Sequence, residues 1–313
     1  MSYYCISHGF YEISPALGKK EQEEFDRLAE CYYWRVVDGG RHLAPMQENV
    51  WHIWDDFEHL METFFERKGY LLNGVVVWKG ENFYDIGECR VENNERNYFY
   101  GKELFEEVRD LSLRFLASDS EEDFPFALRG LQDTPARRRP DRYYYTEVEE
   151  VHLNFSKPLK KKDRMWLSAY AATTHHRRNG LPKEYGRGGE LYVSNNSDDE
   201  DFTCGQRAGE CPDLVCPWKA DSMGRRLEII GEQERFDLCG GECSALARPV
   251  EWLDFLLRKV FSPKGYVLNG YFFWKGEEIH NTGVCLVHDN RIYPARLPLA
   301  HPRNTREYAG GYW

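Results

Sequence analysis

Residues 68 to 94 read KGYLLNGVVVWKGENFYDIGECRVENN, and residues 264 to 290 read KGYVLNGYFFWKGEEIHNTGVCLVHDN. The two stretches align without a gap at a constant shift of 196 residues, and 14 of their 27 positions are identical. The shared positions include Gly69/Gly265, Asn73-Gly74/Asn269-Gly270, Trp78/Trp274, Gly80-Glu81/Gly276-Glu277, Cys89/Cys285 and Asn94/Asn290. Chance does not supply such agreement, so the sequence predicts an internal duplication, and one copy's fold should be the other's.

Outward from the repeat, Ser14, Leu17, Lys19 and Lys20 match Ser156, Leu159, Lys161 and Lys162 at a shift of 142. The second copy is therefore longer by 54 residues, which the reading places between its first helix and its hairpin, from about 172 to between 225 and 250. Each copy reads as strand, helix, strand, helix and two closing strands. Alternation over Val148 to Phe155 marks the first strand, and Ile53, Phe57, Leu60, Met61 and Phe64 form a helical stripe matched by Trp252, Phe255, Leu256, Lys259 and Val260. The fold class expected is α+β: two homologous domains, each a small, mostly antiparallel sheet with two helices, the second carrying a Cys-rich insertion. The boundaries expected are 1–100 and 142–293 for the domains, 101–141 for a connecting helix and linker, and 294–313 for a C-terminal extension. Leu104, Val108, Leu111 and Phe115 give the connecting helix its apolar face.

Composition narrows the function. With 42% hydrophobic and 15% aromatic residues, the 313-residue chain can bury real cores, which excludes disorder, collagen and coiled coil. A net charge of −11 repels phosphate, so generic nucleic-acid binding is disfavoured. The basic runs Lys160-Lys161-Lys162, Arg137-Arg138-Arg139 and His175-His176-Arg177-Arg178 read as solvated faces or linker, the last as charge near a helix end. No apolar run reaches the length of about 18 that a spanning helix needs. The start, Met1-Ser2-Tyr3-Tyr4-Cys5, has no leader character, so the expected location is the host cytoplasm or a virion.

The repeated groups read as architecture. Gly69 and Gly265 suit helix C-caps, Asn-Gly suits a bend early in a strand, Trp78 and Trp274 offer burial, and Glu81 and Glu277 can bond turn amides. A chemical reading would pair Glu81 with Asp85 and Glu277 with Asp289 for metal or acid–base work. The copies disfavour it, because Asp85 becomes Asn281 and Glu88 becomes Val284 while Gly, Trp and Asn persist.

The best candidate for chemistry is the cluster Cys204, Cys211, Cys216, Cys239 and Cys243. Cys211/Cys216 with Cys239/Cys243 approximate the two short-spaced pairs of a structural zinc site, more loosely than the familiar two-residue spacing, so zinc is the one cofactor to consider. A disulfide and unmodified thiols stand beside it, as does a nucleophilic cysteine near His175. Cys89 and Cys285 read as small apolar residues. Phosphate-loop, dinucleotide and nucleophile-elbow patterns do not occur in the sequence.

At the GYxLNGxxxWxGE hairpin the chain resembles uncharacterised proteins of phages and large DNA viruses, which begin with a Tyr-rich strand and close on a V-x-D-N-like turn. The second copy matches that turn with Val287, Asp289 and Asn290, whereas the first departs with Val91, Asn93 and Asn94. The resemblance covers residues 1 to about 98 and 142 to about 293. It implies a viral or phage origin and brings no activity with it. The function expected is a non-enzymatic viral structural or protein-interaction protein, such as a minor capsid component, with capsid subunits among its partners. The alternative is a zinc-assisted enzyme, or a protein that counteracts host defence, with its site in the Cys-rich insertion.

Overall fold

The computed structural model describes residues 5–29, 33–46, 53–118, 146–193, 202–230, 248–276, 282–297 and 299. They fall into two compact units, divided between Arg109 and Asp110. The architecture is α+β, with two six-stranded antiparallel sheets and five helices among the described residues.

The first unit contains β1 (Cys5–Ser14), α1 (Lys19–Leu28), β2 (Trp34–Val37), β3 (His42–Pro45), α2 (Ile53–Leu60), β4 (Leu71–Gly80), β5 (Ile86–Glu92) and β6 (Glu95–Tyr100). Its sheet runs β2-β3-β1-β4-β5-β6. The alternation of β1 puts Tyr11 and Ile13 on the face where Phe57 of α2 and Phe25 of α1 complete the core. α2 continues through a π-helical stretch, Met61–Phe65, into a last turn, Glu66–Lys68. Met61, Phe64 and Phe65, three and four residues apart, all face inward along it.

The second unit contains β7 (Thr146–Phe155), α4 (Lys161–Ala171), β8 (His176–Arg178), β9 (Phe202–Arg207), β10 (Trp218–Ala220), β11 (Arg226–Ile229), α5 (Pro249–Leu256), β12 (Leu268–Gly276), β13 (Thr282–His288) and β14 (Arg291–Arg296). Its sheet runs β10-β11-β7-β12-β13-β14, the same order position for position as the first. α5 likewise passes into a π-helical stretch, Leu257–Phe261, with Leu257, Val260 and Phe261 inward. The remaining helix, α3 (Gly101–Leu116), packs Phe105 on Phe83 and Tyr84 within the first unit; Phe115, in the second, lies against His288 and Tyr293.

Two elements depart from the sequence reading. Each closing pair of strands gains a third, β6 or β14, across two-residue turns in which Asn93-Asn94 (φ 50° and 70°) and Asp289-Asn290 (φ 47° and 66°) are left-handed, the backbone of a tight hairpin. The single middle strand is a hairpin, β2-β3 in one unit and β10-β11 in the other. Trp34 Nε1 donates to the Ile53 carbonyl and Trp218 Nε1 to the Pro249 carbonyl, each at 2.8 Å. Leu43 opposes Tyr11, and Leu227 opposes Leu153. These pairs lie 184 residues apart, between the shifts of 142 and 196. The connection from α4 to β10 is longer than that from α1 to β2, and the connection from β11 to α5 is longer than that from β3 to α2.

Candidate functional site

The repeated hairpin is the first place to seek chemistry, and its groups are committed to the backbone. Gly69 and Gly265 end their helices in the left-handed region, at φ 77° and 69°. Behind each cap an asparagine ties the turn. Asn94 accepts from the Leu72 amide (2.6 Å) and donates to the Tyr70 carbonyl (2.8 Å). Asn290 accepts from Leu268 (2.7 Å) and donates to Tyr266 (2.7 Å) and to Ser262 Oγ (3.0 Å). Asn73 accepts from the Asn93 amide and Asn269 from the Asp289 amide.

The glycines are set by contact. A Cβ on Gly74 (φ 147°) would stand 2.4 Å from the Phe10 carbonyl oxygen, and one on Gly270 (φ 138°) 1.8 Å from that of His152. Trp78 and Trp274 are buried against Gly87 and Gly283, where a Cβ would strike the indole. Of the carboxylates, Glu81 is exposed in the turn after β4, and Asp85 accepts a 3.3 Å bond from the Trp78 indole. Asp289 receives the Asn269 side-chain amide at 3.5 Å, and Glu277 lies outside the described residues.

The cysteines divide similarly. Cys204 lies on β9, and Cys239 and Cys243 lie outside the described residues. Cys211 and Cys216 are buried in the core of the second unit, where Cys211 Sγ donates to the Glu190 carbonyl (3.5 Å) and Cys216 Sγ to that of Trp218 (3.7 Å). Burial pushes the Cys211 thiol up to about 12 and that of Cys216 higher still, so both are protonated thiols at neutral pH. Cys89 and Cys285 are buried beneath their sheets and also pushed up by desolvation. Among the described residues no group of three or more His, Cys, Asp or Glu could hold a metal ion.

Around Cys211 lies a polar cluster that links the longer loops of the second unit to its repeated helix. Tyr170 of α4 donates to the Glu190 carbonyl (2.8 Å), and its hydroxyl lies 3.5 Å from Cys211 Sγ. The Glu190 side chain, 3% exposed, accepts from the Glu210 amide (2.7 Å), while Lys259 reaches Glu190 (3.6 Å) and Glu210 (3.0 Å). Gly186 and Gly209 approach that carboxylate so closely that any Cβ would collide with it. Lys259, read from its spacing as part of an apolar stripe, is the anchor of this clamp. Glu190 was not singled out by the sequence, and its signal was the run Gly186-Arg187-Gly188-Gly189 in front of it.

His175 corrects the reading of the basic run. It is 2% exposed, its ring centroid 3.9 Å from that of Tyr170 and 5.4 Å from that of Trp252, and its Nε2 donates to the Tyr170 carbonyl at 2.9 Å. Desolvation lowers its pKa to about 3, against the pull of that bond, so the imidazole is neutral. α4 ends at Ala171 and His176–Arg178 form β8, with Arg178 buried as well, so this segment is a strand folded inward and not a charged helix end.

No family model, curated protein or solved structure matches this chain. No helix among the described residues is long and apolar enough to cross a membrane.

Proposed function

We propose that the chain is a non-enzymatic interaction protein, made of two copies of one folding unit that arose by duplication. What supports the duplication is the pairing of detail: the same strand order and, at one shift of 196 residues, the same π-helical stretch and the same asparagine ties. The observation that carries the non-enzymatic reading is how the groups with chemical potential are used. The Cys211 and Cys216 thiols are protonated, the His175 imidazole is neutral, and the Glu190 carboxylate is held by a backbone amide and Lys259. Such an arrangement stabilises a scaffold and does not lower a barrier.

The hairpin's resemblance to phage and large-DNA-virus proteins makes a virus particle the setting for the interaction, with a minor capsid role as its simplest form. The test is fractionation of purified particles. A fixed copy number per particle agrees with the proposal. Absence from particles, with the protein confined to infected-cell extract, overturns the assembly role. Stoichiometric zinc that supports a hydrolytic activity would overturn the non-enzymatic one.

A further inference from the structure

We infer that the first unit binds a cationic side chain, an arginine or lysine on a basic segment of a partner protein, at a ring of four aromatic residues beside its edge strand. The inference deepens the interaction reading above and rests on it. Trp54, Trp78, Tyr100 and Tyr98 touch in a closed cycle, with centroids 4.7 Å apart from Trp54 to Trp78, 5.8 Å from Trp78 to Tyr100, 6.2 Å from Tyr100 to Tyr98 and 5.5 Å from Tyr98 to Trp54. Tyr98 and Tyr100 share one face of β6 and stack within 15° of parallel. Trp78 is a buried floor, Trp54 and Tyr98 are half-buried, and Tyr100 is 51% exposed.

The second unit builds the same strand order without three of these rings. The second sheet is built at the same register, with Cys285 opposite Pro294 and Gly283 opposite Arg296, where the first has Cys89 opposite Tyr98 and Gly87 opposite Tyr100. Val250 is the second residue of α5, as Trp54 is of α2. Of the four rings, the second unit keeps the floor alone, as Trp274. The first unit thus carries three large aromatic residues that the second lacks, of which Trp54 and Tyr98 pack against its core and Tyr100 is half exposed.

Charge selects the occupant. The Tyr98 hydroxyl donates to Glu58 at 2.5 Å, and the Trp78 indole donates to Asp85. Burial raises the Tyr100 hydroxyl's pKa, and Cys89 and the Glu103 and Glu58 carboxylates add to the effect, which places these two carboxylates within electrostatic reach of the rings. Arg96 pairs with Glu58 and Glu66. Electron-rich faces with the Glu58 and Glu103 carboxylates within reach favour a cation. The other face of the same strand holds a filled example, the Arg90 guanidinium 5.3 Å from the Phe99 ring.

The test uses the intact chain with its tryptophan indoles labelled with nitrogen-15, the Trp54 signal assigned through Trp54→Phe. The probes are two capped pentapeptides, one carrying two arginines among glycines and one carrying citrulline, the neutral isostere, in their place. The arginine peptide should shift the Trp54 and Trp78 signals saturably, and the citrulline peptide should bind at least about tenfold more weakly. Tyr100→Ala should weaken binding at least about fivefold, and Tyr100→Phe should retain it. Tyr100→Arg, which installs the residue type of the second unit at this register, should fold and abolish binding. Equal binding of both peptides, no shift with either at millimolar concentration, or full binding by Tyr100→Arg overturns the inference. If the peptides fail while the chain still resides in particles, this site falls and the interaction reading stands. If the arginine peptide binds and particles lack the chain, the reverse holds.

Discussion

Replacing Asn290 tests whether the repeated asparagines hold the units together. Alanine there removes the bonds to the Leu268 amide, the Tyr266 carbonyl and Ser262 Oγ, and leaves a Cβ at φ 66°. At ~1 kcal/mol per bond, with ~1 kcal/mol for left-handed backbone in alanine, the loss is about 3–4 kcal/mol. Asn94→Ala removes two such bonds at φ 70°, for about 3 kcal/mol. Two further variants separate the causes. Asn290→Gly accepts the backbone and loses the bonds, costing about 2–3 kcal/mol, whereas Asn290→Asp keeps the acceptor for Leu268 and should cost about 1–2 kcal/mol. Urea unfolding of the full chain, followed by tryptophan fluorescence and fitted with one transition per unit, reads these losses. Each substitution should move its own unit's transition. A loss below about 1 kcal/mol for both alanine variants, or a neutral Asn290→Gly, would refute the reasoning, because the bonds would then be incidental to the turn.

Acid should destabilise the second unit through His175. The unfolded imidazole binds a proton near its ordinary 6.5, the folded one not until about 3, so stability falls as pH drops between these values, by up to about 1.4 kcal/mol per pH unit. His175→Gln, which keeps a donor for the Tyr170 carbonyl and cannot charge, should flatten that slope relative to wild type in melts from pH 7 to 4. An unchanged slope would count against a neutral buried ring. The glycines should separate by contact: Gly69→Ala, with no heavy atom near its Cβ, should cost about 1 kcal/mol by chemical denaturation. Gly270→Ala, aimed at the His152 carbonyl, should cost several times more. Equal effects would refute the close approach.

The fold was legible where side chains dictate backbone. Gly69 and Trp78, with their partners 196 residues on, announced a cap and a buried anchor, and each has that role; at Asn73-Gly74, read as a bend, the strand register is unbroken and Gly74 lies against the Phe10 carbonyl. The hairpin β2-β3 was not legible, because its strands are four residues long and its counterpart lies at a different shift. Strands β6 and β14 escaped because identity between the copies ends at Asn94 and Asn290, and only the left-handed turn continues the pairing. His175 looked like surface charge because it opens a basic run, yet burial against Tyr170 and Trp252 neutralises it. The aromatic cluster of the first unit was hidden for a related reason: Trp54, Tyr98 and Tyr100 come from segments outside the identity between the two stretches.

Residue-level hydrogen exchange on the intact chain tests the central claim most directly, that one set of groups closes both units. The Leu72 and Leu268 amides should each be protected to the level of their own unit's global unfolding, although both sit at the start of a strand beside a turn. Exchange of either amide at the rate of an open turn would contradict it.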